Sequence, residues 1–153
     1  MFISEDIKVI LNDYGTKKVI ATVNEEGVVH VTFKDMIFID SNDAIILLEI
    51  LEKSITNQNL VYSIWFNKTV AINFLSRNGE SFHVQALPKR AIVSGKEFEE
   101  YYQMVQKRMG DIDLSTVWIF EILEVKEKTL IKQIEEHKVK YPIINHLDRL
   151  ITR

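Results

Sequence analysis

A chain of 153 residues with 46% hydrophobic residues is long enough for one substantial core and short for two domains. Its 19 basic and 22 acidic residues give a formal charge of −3, so it has no general field that would gather nucleic acid or an anionic membrane. The absence of cysteine excludes disulfides, a thiolate nucleophile and cysteine-ligated metal sites. Glu5 and Asp6 stand where a signal peptide would be basic, and no apolar run is long enough to span a bilayer. We therefore expect a soluble cytoplasmic protein.

The first forty residues predict one helix followed by strands. Ser4 begins a segment of helical periodicity, and Gly15 follows it as the expected left-handed C-terminal cap. Residues 19–23 and 28–33 predict two strands joined by a hairpin turn at Gly27, because glycine tolerates the positive φ that such turns require.

The stretch from residue 44 to residue 60 contains the junction on which the functional interpretation depends. Residues 44–51 are almost all apolar and favour a strand buried on both faces, although periodicity alone also allows a buried helix. Ser54 is then a candidate N-cap of a helix with apolar residues at helical spacing: Leu60, Val61, Ile64 and Trp65. A phosphate there would meet free backbone N–H groups, the helix dipole, the Ser54 hydroxyl and the Lys53 ammonium. The alternative is that Ser54 only caps the helix and Lys53 is solvated.

The second half predicts another hairpin, a helix and a last strand. Residues 69–75 and 80–93 flank a turn at Gly79, and Pro88 implies that the second strand is an edge strand or contains a bulge. Ser94 and Glu97 have the spacing of a capping box that opens the next helix. Residues 115–125 then predict the last strand, in which Trp118 and Phe120 are expected in the core.

The tail is mildly basic and predicts two short amphipathic helices, over residues 129–138 and 142–152. We expect a main domain over residues 1–128 and a helical extension over residues 129–153 that packs on the same domain or on a second subunit. The element order is helix, three strands, helix, two strands, helix, strand and tail. Two hairpins without an alternating strand and helix series indicate an antiparallel sheet or barrel with flanking helices, of the α+β or mainly β class.

Motifs for familiar enzyme chemistry are missing. The five glycines form neither a dinucleotide fingerprint nor a P-loop, and there is no Gly-x-Ser-x-Gly elbow. The four histidines, His30, His83, His137 and His146, have no metal-site spacing, so no metal ligands are predicted. His30 and His83 are more simply hydrogen-bonded histidines of a sheet. The sequence therefore indicates no catalytic acid, base or nucleophile.

Several stretches taken together resemble one known family. IATVNEEGVVHVTF, the segment ending in LEKSITNQNL, KTVAINFL and NGESFHVQALPKRAIV follow one another in the order seen in the FMN-binding split-barrel proteins. That family includes the pyridoxamine 5′-phosphate oxidase-like proteins. The resemblance covers roughly residues 3–125 and depends on the order and spacing of several weak signals.

The resemblance implies an antiparallel split barrel with flanking helices that forms a homodimer and holds FMN between its subunits. The segment formed by Thr32, Phe33, Lys34 and Asp35 would run along the isoalloxazine and ribityl groups. Lys53 and Ser54 would hold the phosphate, and Asn57 and Asn59 would lie beside it. This is the helix start at which the residues alone suggested an anion site.

The chain departs from the family pattern at Glu49, whose carboxylate would repel FMN if it pointed into the site and would be harmless if it pointed away. No further cation for the phosphate can be assigned, although Lys89 and Arg90 are available. No residues for pyridoxamine phosphate are identifiable.

The leading hypothesis is therefore an FMN-binding oxidoreductase or electron-transfer module without identified catalytic residues. Its alternative is a non-enzymatic split barrel that binds another flavin-like, heme-like or phosphorylated ligand. A third possibility is a purely structural or interaction protein that uses its dimer surface and basic tail.

Overall fold

The computed structural model describes residues 2–142. The second tail helix, predicted for residues 142–152, lies outside this range except for its first residue. The elements, in chain order, are α1 (Glu5–Asn12), β1 (Lys17–Val23), β2 (Val29–Phe33), β3 (Ile37–Ile39), β4 (Ala44–Glu49), α2 (Ile55–Phe66), β5 (Val70–Leu75), β6 (Ser81–Ile92), α3 (Lys96–Met109), β7 (Thr116–Glu127) and α4 (Leu130–Lys140).

One antiparallel sheet organises the fold. Its seven strands follow the order β2-β1-β5-β6-β7-β4-β3, and each neighbouring pair is antiparallel. The sheet curls into a half-barrel with helices packed against it, which confirms the predicted fold class. The predicted count of three strands before the central helix was wrong. Four strands precede α2. The additional one is β3, which pairs with β4 over only three positions and is too short to produce a recognisable alternation.

The main core lies inside the half-barrel. Ile20, Ile72, Val84, Trp118 and Phe120 meet there from four strands, as expected for the two aromatic residues. A second cluster lies on the other side of β4, where Ile46 and Leu48 pack with Val105 of α3. The predicted burial of β4 on both faces is therefore confirmed.

Local signals at the helix ends had mixed outcomes. Ser4 and Ser54 are N-caps whose hydroxyls accept from the N–H groups of Ile7 at 3.3 Å and Asn57 at 3.0 Å, as predicted. Gly15 does not cap α1, which ends at Asn12 with Asp13 as its cap. A Cβ at position 15 would lie 1.8 Å from Nε of Arg77, so a larger residue there would require the exposed Arg77 side chain to move.

The predicted capping box at the start of α3 is absent. The N-cap of α3 is Gly95, without a side-chain hydrogen bond, so Ser94 does not cap the helix. Glu97 instead lies 3.1 Å from a guanidinium nitrogen of Arg90. The Glu97 carboxylate therefore pairs with Arg90 and does not accept from the backbone at the start of α3, as the capping box would require.

Pro88 marks a bulge, the second of the two predicted alternatives. Strand β6 lies between β5 and β7, so it is not an edge strand. The pairing with β7 shifts between Pro88, opposite Phe120, and Arg90, opposite Ile119. Lys89 is thus the additional residue of the bulge, which accommodates the missing N–H of proline.

Helix α2 buries polar residues and exposes apolar ones. Leu60 is buried as the helical spacing predicts, but Val61 is 45% exposed and Trp65 is 79% exposed. Asn57 and Asn59 are buried instead, because their side-chain amides hydrogen-bond to Trp118 and Thr22 of the barrel. Internal hydrogen bonds rather than hydrophobic periodicity therefore set the orientation of this helix.

Helix α4 spans Leu130–Lys140, close to the first predicted tail helix, and none of its residues is buried. Its start is fixed by the hydroxyl of Thr129, which accepts from Ser81 N at 3.1 Å and donates to the carboxylate of Glu127 at 2.7 Å. The helix therefore extends away from the end of the β6–β7 pair and does not cover its own barrel.

Candidate functional site

The loop between β4 and α2 presents a helix N-terminus. The Ser54 hydroxyl and carbonyl accept from the N–H groups of Asn57 and Gln58, at 3.0 and 3.1 Å. Among the described residues, the N–H groups of Ile55 and Thr56 have no acceptor. Free N–H groups at the positive end of a helix dipole are suited to an anion.

The side chains at this helix start suit the same ligand. Lys53 is exposed and Ser54 is partly buried. The Thr56 hydroxyl is buried and has no hydrogen-bond partner in the described part of the chain. Unpaired buried hydroxyls are uncommon, so this oxygen is available to a ligand or a water molecule.

Lys34 and Glu49 form an ion pair behind this loop. Nζ of Lys34 lies 3.0 Å from one carboxylate oxygen of Glu49 and 3.2 Å from the other. Glu49 is only 1% exposed, while the Lys34 side chain is 19% exposed. The carboxylate that could repel an anion is therefore buried and neutralised by a neighbouring ammonium.

The same carboxylate helps to hold the loop. One Glu49 oxygen accepts from Leu51 N at 3.3 Å, and the Leu51 carbonyl accepts from Ser54 N at 3.1 Å. A short chain of contacts thus connects Lys34 to Ser54, two residues that the resemblance assigned to one site and that lie 20 positions apart in the sequence.

The remaining β2 residues of the predicted site do not share one surface. Thr32 is opposite Ile20 and partly buried, whereas Phe33 is opposite Val19 and is 72% exposed. Successive strand side chains point to opposite faces, so Thr32 and Phe33 cannot line one pocket with both side chains. Asp35 follows the strand and is exposed.

Asn57 and Asn59 are engaged within the fold. The Asn57 side chain accepts from Nε1 of Trp118 at 2.8 Å and donates to the Glu52 carbonyl at 2.8 Å. Asn59 donates to the Thr22 hydroxyl at 3.0 Å. Both amides attach α2 to the barrel. They therefore position the start of the helix and do not extend into the candidate anion site.

Lys18, which is absent from the predicted site, is a buried lysine at one end of the barrel interior. Its ammonium donates to the Ile37 carbonyl, and the residue is 7% exposed. Burial, followed by the positive charge of Arg108, lowers the pKa of Lys18 to about 8, although Asp35 and Asp13 oppose the shift. Alternation along β1 could have identified it, because Lys18, Ile20 and Thr22 share the inward face.

A groove of about 690 Å³ lies at the other end of α2, between that helix and β6. Trp65, Lys89 and Arg90 are among its lining residues. The two cations were available from the sequence, but their proximity to the tryptophan depends on the tertiary structure.

His83 is hydrogen-bonded on both ring nitrogens, to Asn73 at 2.6 Å and to Gln85 at 3.0 Å, as expected for a histidine in a sheet. No group of three His, Cys, Asp or Glu residues within residues 2–142 could hold a metal ion. Over the same range, no helix has the length and apolar character needed to cross a bilayer.

Comparison with known proteins identifies the fold. No protein-family model matches the chain, and no curated protein matches it. Among solved structures, HupZ of Group A Streptococcus is similar, with a TM-score of 0.71 and 18% identity over 84% of this chain and 96% of that one. An FMN-binding protein of Syntrophomonas wolfei gives a TM-score of 0.64 and 15% identity over 80% of this chain and 84% of that one.

A protein of Listeria innocua, provisionally named a pyridoxamine 5′-phosphate oxidase, gives a TM-score of 0.60 and 12% identity over 82% of this chain and 97% of that one. These likenesses and the strand order define the class as an antiparallel split barrel. The chain has the split-barrel fold of the pyridoxamine 5′-phosphate oxidase-like proteins, which confirms the fold that the resemblance implied.

Proposed function

We propose that this chain binds FMN as a homodimer and acts as a flavin-dependent oxidoreductase or electron-transfer module in the reducing cytoplasm, which suits a chain without cysteine. The observation that carries the proposal is the start of α2, where unpaired N–H groups, the Ser54 hydroxyl and the Lys53 ammonium stand together. Structural neighbours named an FMN-binding protein and an F420 reductase support a flavin-type cofactor.

The residues present fit an FMN phosphate. Lys53 would supply a mobile positive charge, and the N–H groups of Ile55 and Thr56 would supply fixed donors. The buried Thr56 hydroxyl, which has no partner within residues 2–142, would gain one. Because Lys34 neutralises Glu49, the site has no uncompensated negative charge behind the loop.

The β2 segment would lie along the rest of the cofactor. Phe33 offers an exposed ring, and Lys34 and Asp35 continue the segment beside the loop. Bound FMN supplies the electron-transfer chemistry itself, so no catalytic side chain is required. The protein would orient the flavin, and the Lys34–Glu49 pair would keep the phosphate loop in place.

The exposed face of β2 supports the homodimer. Val29, Val31 and Phe33 form an apolar row on the outer face of an edge strand, each at least 59% exposed. Contiguous apolar surface of this kind is typical of an interface. A second subunit seated there would complete a ligand site next to the β2 segment.

The first experiment is the visible absorption spectrum of the purified protein before and after loading with FMN and removal of the excess by gel filtration. A retained flavin spectrum with about one FMN per chain is the expected result. A colourless protein that cannot be loaded would exclude the flavin proposal.

The phosphate assignment has its own test. Lys53→Ala should weaken FMN about tenfold or more, since a charge-assisted hydrogen bond contributes roughly 1.5–3 kcal/mol, and should leave riboflavin almost unchanged because it has no phosphate. Lys68→Ala, which removes an exposed cation beyond the far end of α2, is the control. Equal weakening of both ligands by Lys53→Ala would place the phosphate elsewhere.

A second candidate is a non-enzymatic barrel that binds another flavin-like, heme-like or phosphorylated ligand. The internal hydrogen bonds of Asn57 and Asn59 favour it, because the FMN assignment places these two side chains beside the phosphate. Failure to load FMN, together with binding of one of these ligands, would support this alternative.

A further inference from the structure

The groove between α2 and β6 lies apart from the proposed cofactor site. It is lined by Ile64 and Trp65 from α2 and by residues 89–94 from β6 and the following turn. Ser54 and Trp65 are 11 positions apart along the helix, which corresponds to about 16 Å at 1.5 Å per residue. The groove and the phosphate loop are therefore at opposite ends of α2.

Two consecutive cations, Lys89 and Arg90, are among the residues that line this groove. They lie at the bulge that follows Pro88, where the pairing of β6 with β7 shifts by one residue. The described lining residues of the groove include no carboxylate.

Trp65 adds a large aromatic surface beside these cations. It is 79% exposed, which is unusual for a tryptophan because so much apolar area remains in water. No ring contact or cation contact among the described residues involves its indole. A planar ligand can therefore stack on it.

Each cation has a carboxylate partner outside the lining of the groove. Lys89 lies 3.3 Å from Glu121, and Arg90 lies 3.1 Å from Glu97. The four side chains are between 45% and 59% exposed. Pairs of this kind contribute only about 0–1 kcal/mol, so an anion in the groove can compete for the cations at small cost.

We propose that this groove is a binding site for a small planar aromatic anion. The ring stacks on Trp65, and a carboxylate or phosphate on the ring binds Arg90 and Lys89. Arginine suits either group because its planar fork can donate two parallel hydrogen bonds. This site does not depend on the proposed cofactor function.

Tryptophan fluorescence provides a direct test, since the chain has only two tryptophans and Trp118 is 1% exposed. Titration with 4-nitrophenyl phosphate or 4-nitrobenzoate should give saturable quenching from Trp65, and the two probes distinguish a phosphate from a carboxylate preference. Trp65→Phe should abolish the quenching signal. Calorimetry on that variant should show weaker binding.

Charge variants then separate this groove from other anion sites. Arg90→Gln should weaken the aromatic anions about tenfold, and Glu97→Gln should tighten them severalfold by releasing Arg90. Lys107→Gln, an exposed cation on α3, is the matched control and should have no effect. Melting temperatures of all variants should stay close to the wild-type value, because these side chains are exposed.

Three results would overturn the proposal. Equal binding of the neutral 4-nitrobenzyl alcohol would show that the anion is not recognised. Loss of binding in Lys53→Ala, with Arg90→Gln unaffected, would assign the probes to the start of α2. Quenching that does not saturate at millimolar probe would show only collisions with an exposed indole. FMN loading is measured separately, so failure of the flavin proposal would leave these results intact.

Discussion

Two ionisable side chains are buried in the described part of this small barrel, and they differ in how their charges are compensated. Lys18 and Glu49 are both nearly inaccessible, but only Glu49 has an oppositely charged partner, Lys34, within 4 Å. Lys18 has a carbonyl acceptor, that of Ile37, in place of a carboxylate. A buried ammonium without a paired charge is costly, whereas a paired carboxylate becomes costly only when its partner is removed.

The lowered pKa of Lys18 predicts a specific dependence of stability on pH. The folded chain releases this proton near pH 8, whereas the unfolded chain retains it to about 10.5. Between these values the unfolded state binds more protons, so the contribution of Lys18 to stability rises with pH.

Lys18→Met should therefore be more stable than the wild type at pH 7 by about 1 kcal/mol, and the advantage should shrink as the pH approaches 10.5. Urea denaturation of both proteins across this range measures the difference, in which the titration of the other lysines cancels. Parallel stability curves for the two proteins would contradict the assignment.

Glu49→Gln should have opposite effects on folding and on ligand affinity. It leaves the Lys34 ammonium half-buried without its carboxylate, so the free energy of unfolding should fall by about 1–3 kcal/mol. It also removes a negative charge near the phosphate loop, so FMN should bind more tightly. Denaturation and FMN titration measure the two effects.

Glu52→Gln removes an exposed carboxylate from the same loop and is the control for Glu49→Gln. The control should leave stability within about 0.5 kcal/mol of the wild type. Equal stability of Glu49→Gln and the wild type would show that the buried pair contributes nothing.

At the scale of elements, α2 and α4 differ in what holds them. Helix α2 is attached by the hydrogen bond that Trp118 donates to Asn57 and by the one that Asn59 donates to Thr22, and it leaves apolar side chains exposed. Helix α4 has no buried residue, and its Leu130 and Ile131 are each at least 66% exposed. Apolar residues that their own chain leaves uncovered are available to another surface.

Removal of residues 130–153 tests the role of this extension. The deletion keeps Thr129 and its bond to Ser81, so the barrel should fold with nearly unchanged thermal stability. If α4 packs on a second subunit, light scattering should show loss of the dimer. A large fall in melting temperature would contradict the expectation and place the extension on its own barrel. An unchanged dimer with altered ligand binding would place it over the pocket.

At the scale of the whole molecule, the curled sheet has one buried surface and one that is partly apolar and open. Strand β2 lies at the edge of the sheet, and its outward side chains are Val29, Val31 and Phe33. A dimer centred on this edge would cover the apolar row and would also protect the unpaired edge of the strand.

Val31→Asp should therefore convert the proposed dimer into a monomer, because a charge at the centre of an apolar interface is strongly unfavourable. Size-exclusion chromatography with light scattering measures the mass, and FMN loading should fall in parallel if the ligand lies between subunits. Val9→Asp, at a 70% exposed position on α1, should remain dimeric. A dimeric Val31→Asp protein would place the interface on another face.

The candidate site was predicted in part. The helix start with Ser54 follows from contiguous residues, and the structure confirms the cap. The Lys34–Glu49 pair, the inward direction of Thr32 and the internal bonds of Asn57 and Asn59 depend on residues brought together from different strands. No local pattern could have indicated these contacts.

The features of the fold also separate into those set by local sequence and those set by tertiary contacts. Helix caps, glycine turns and strand alternation arise from interactions within a few residues, so the chain alone determined the main elements, the hairpins and the antiparallel class. The tertiary structure decided which face α2 buries, where the carboxylate of Glu97 binds and which alternative Pro88 adopts. Each of these outcomes depends on a partner distant in sequence or on a neighbouring strand, such as Trp118 for Asn57, 61 positions away. For α2, the free energy of satisfying its buried amides exceeds the local preference for burying apolar side chains, and only the assembled barrel determines which groups become buried.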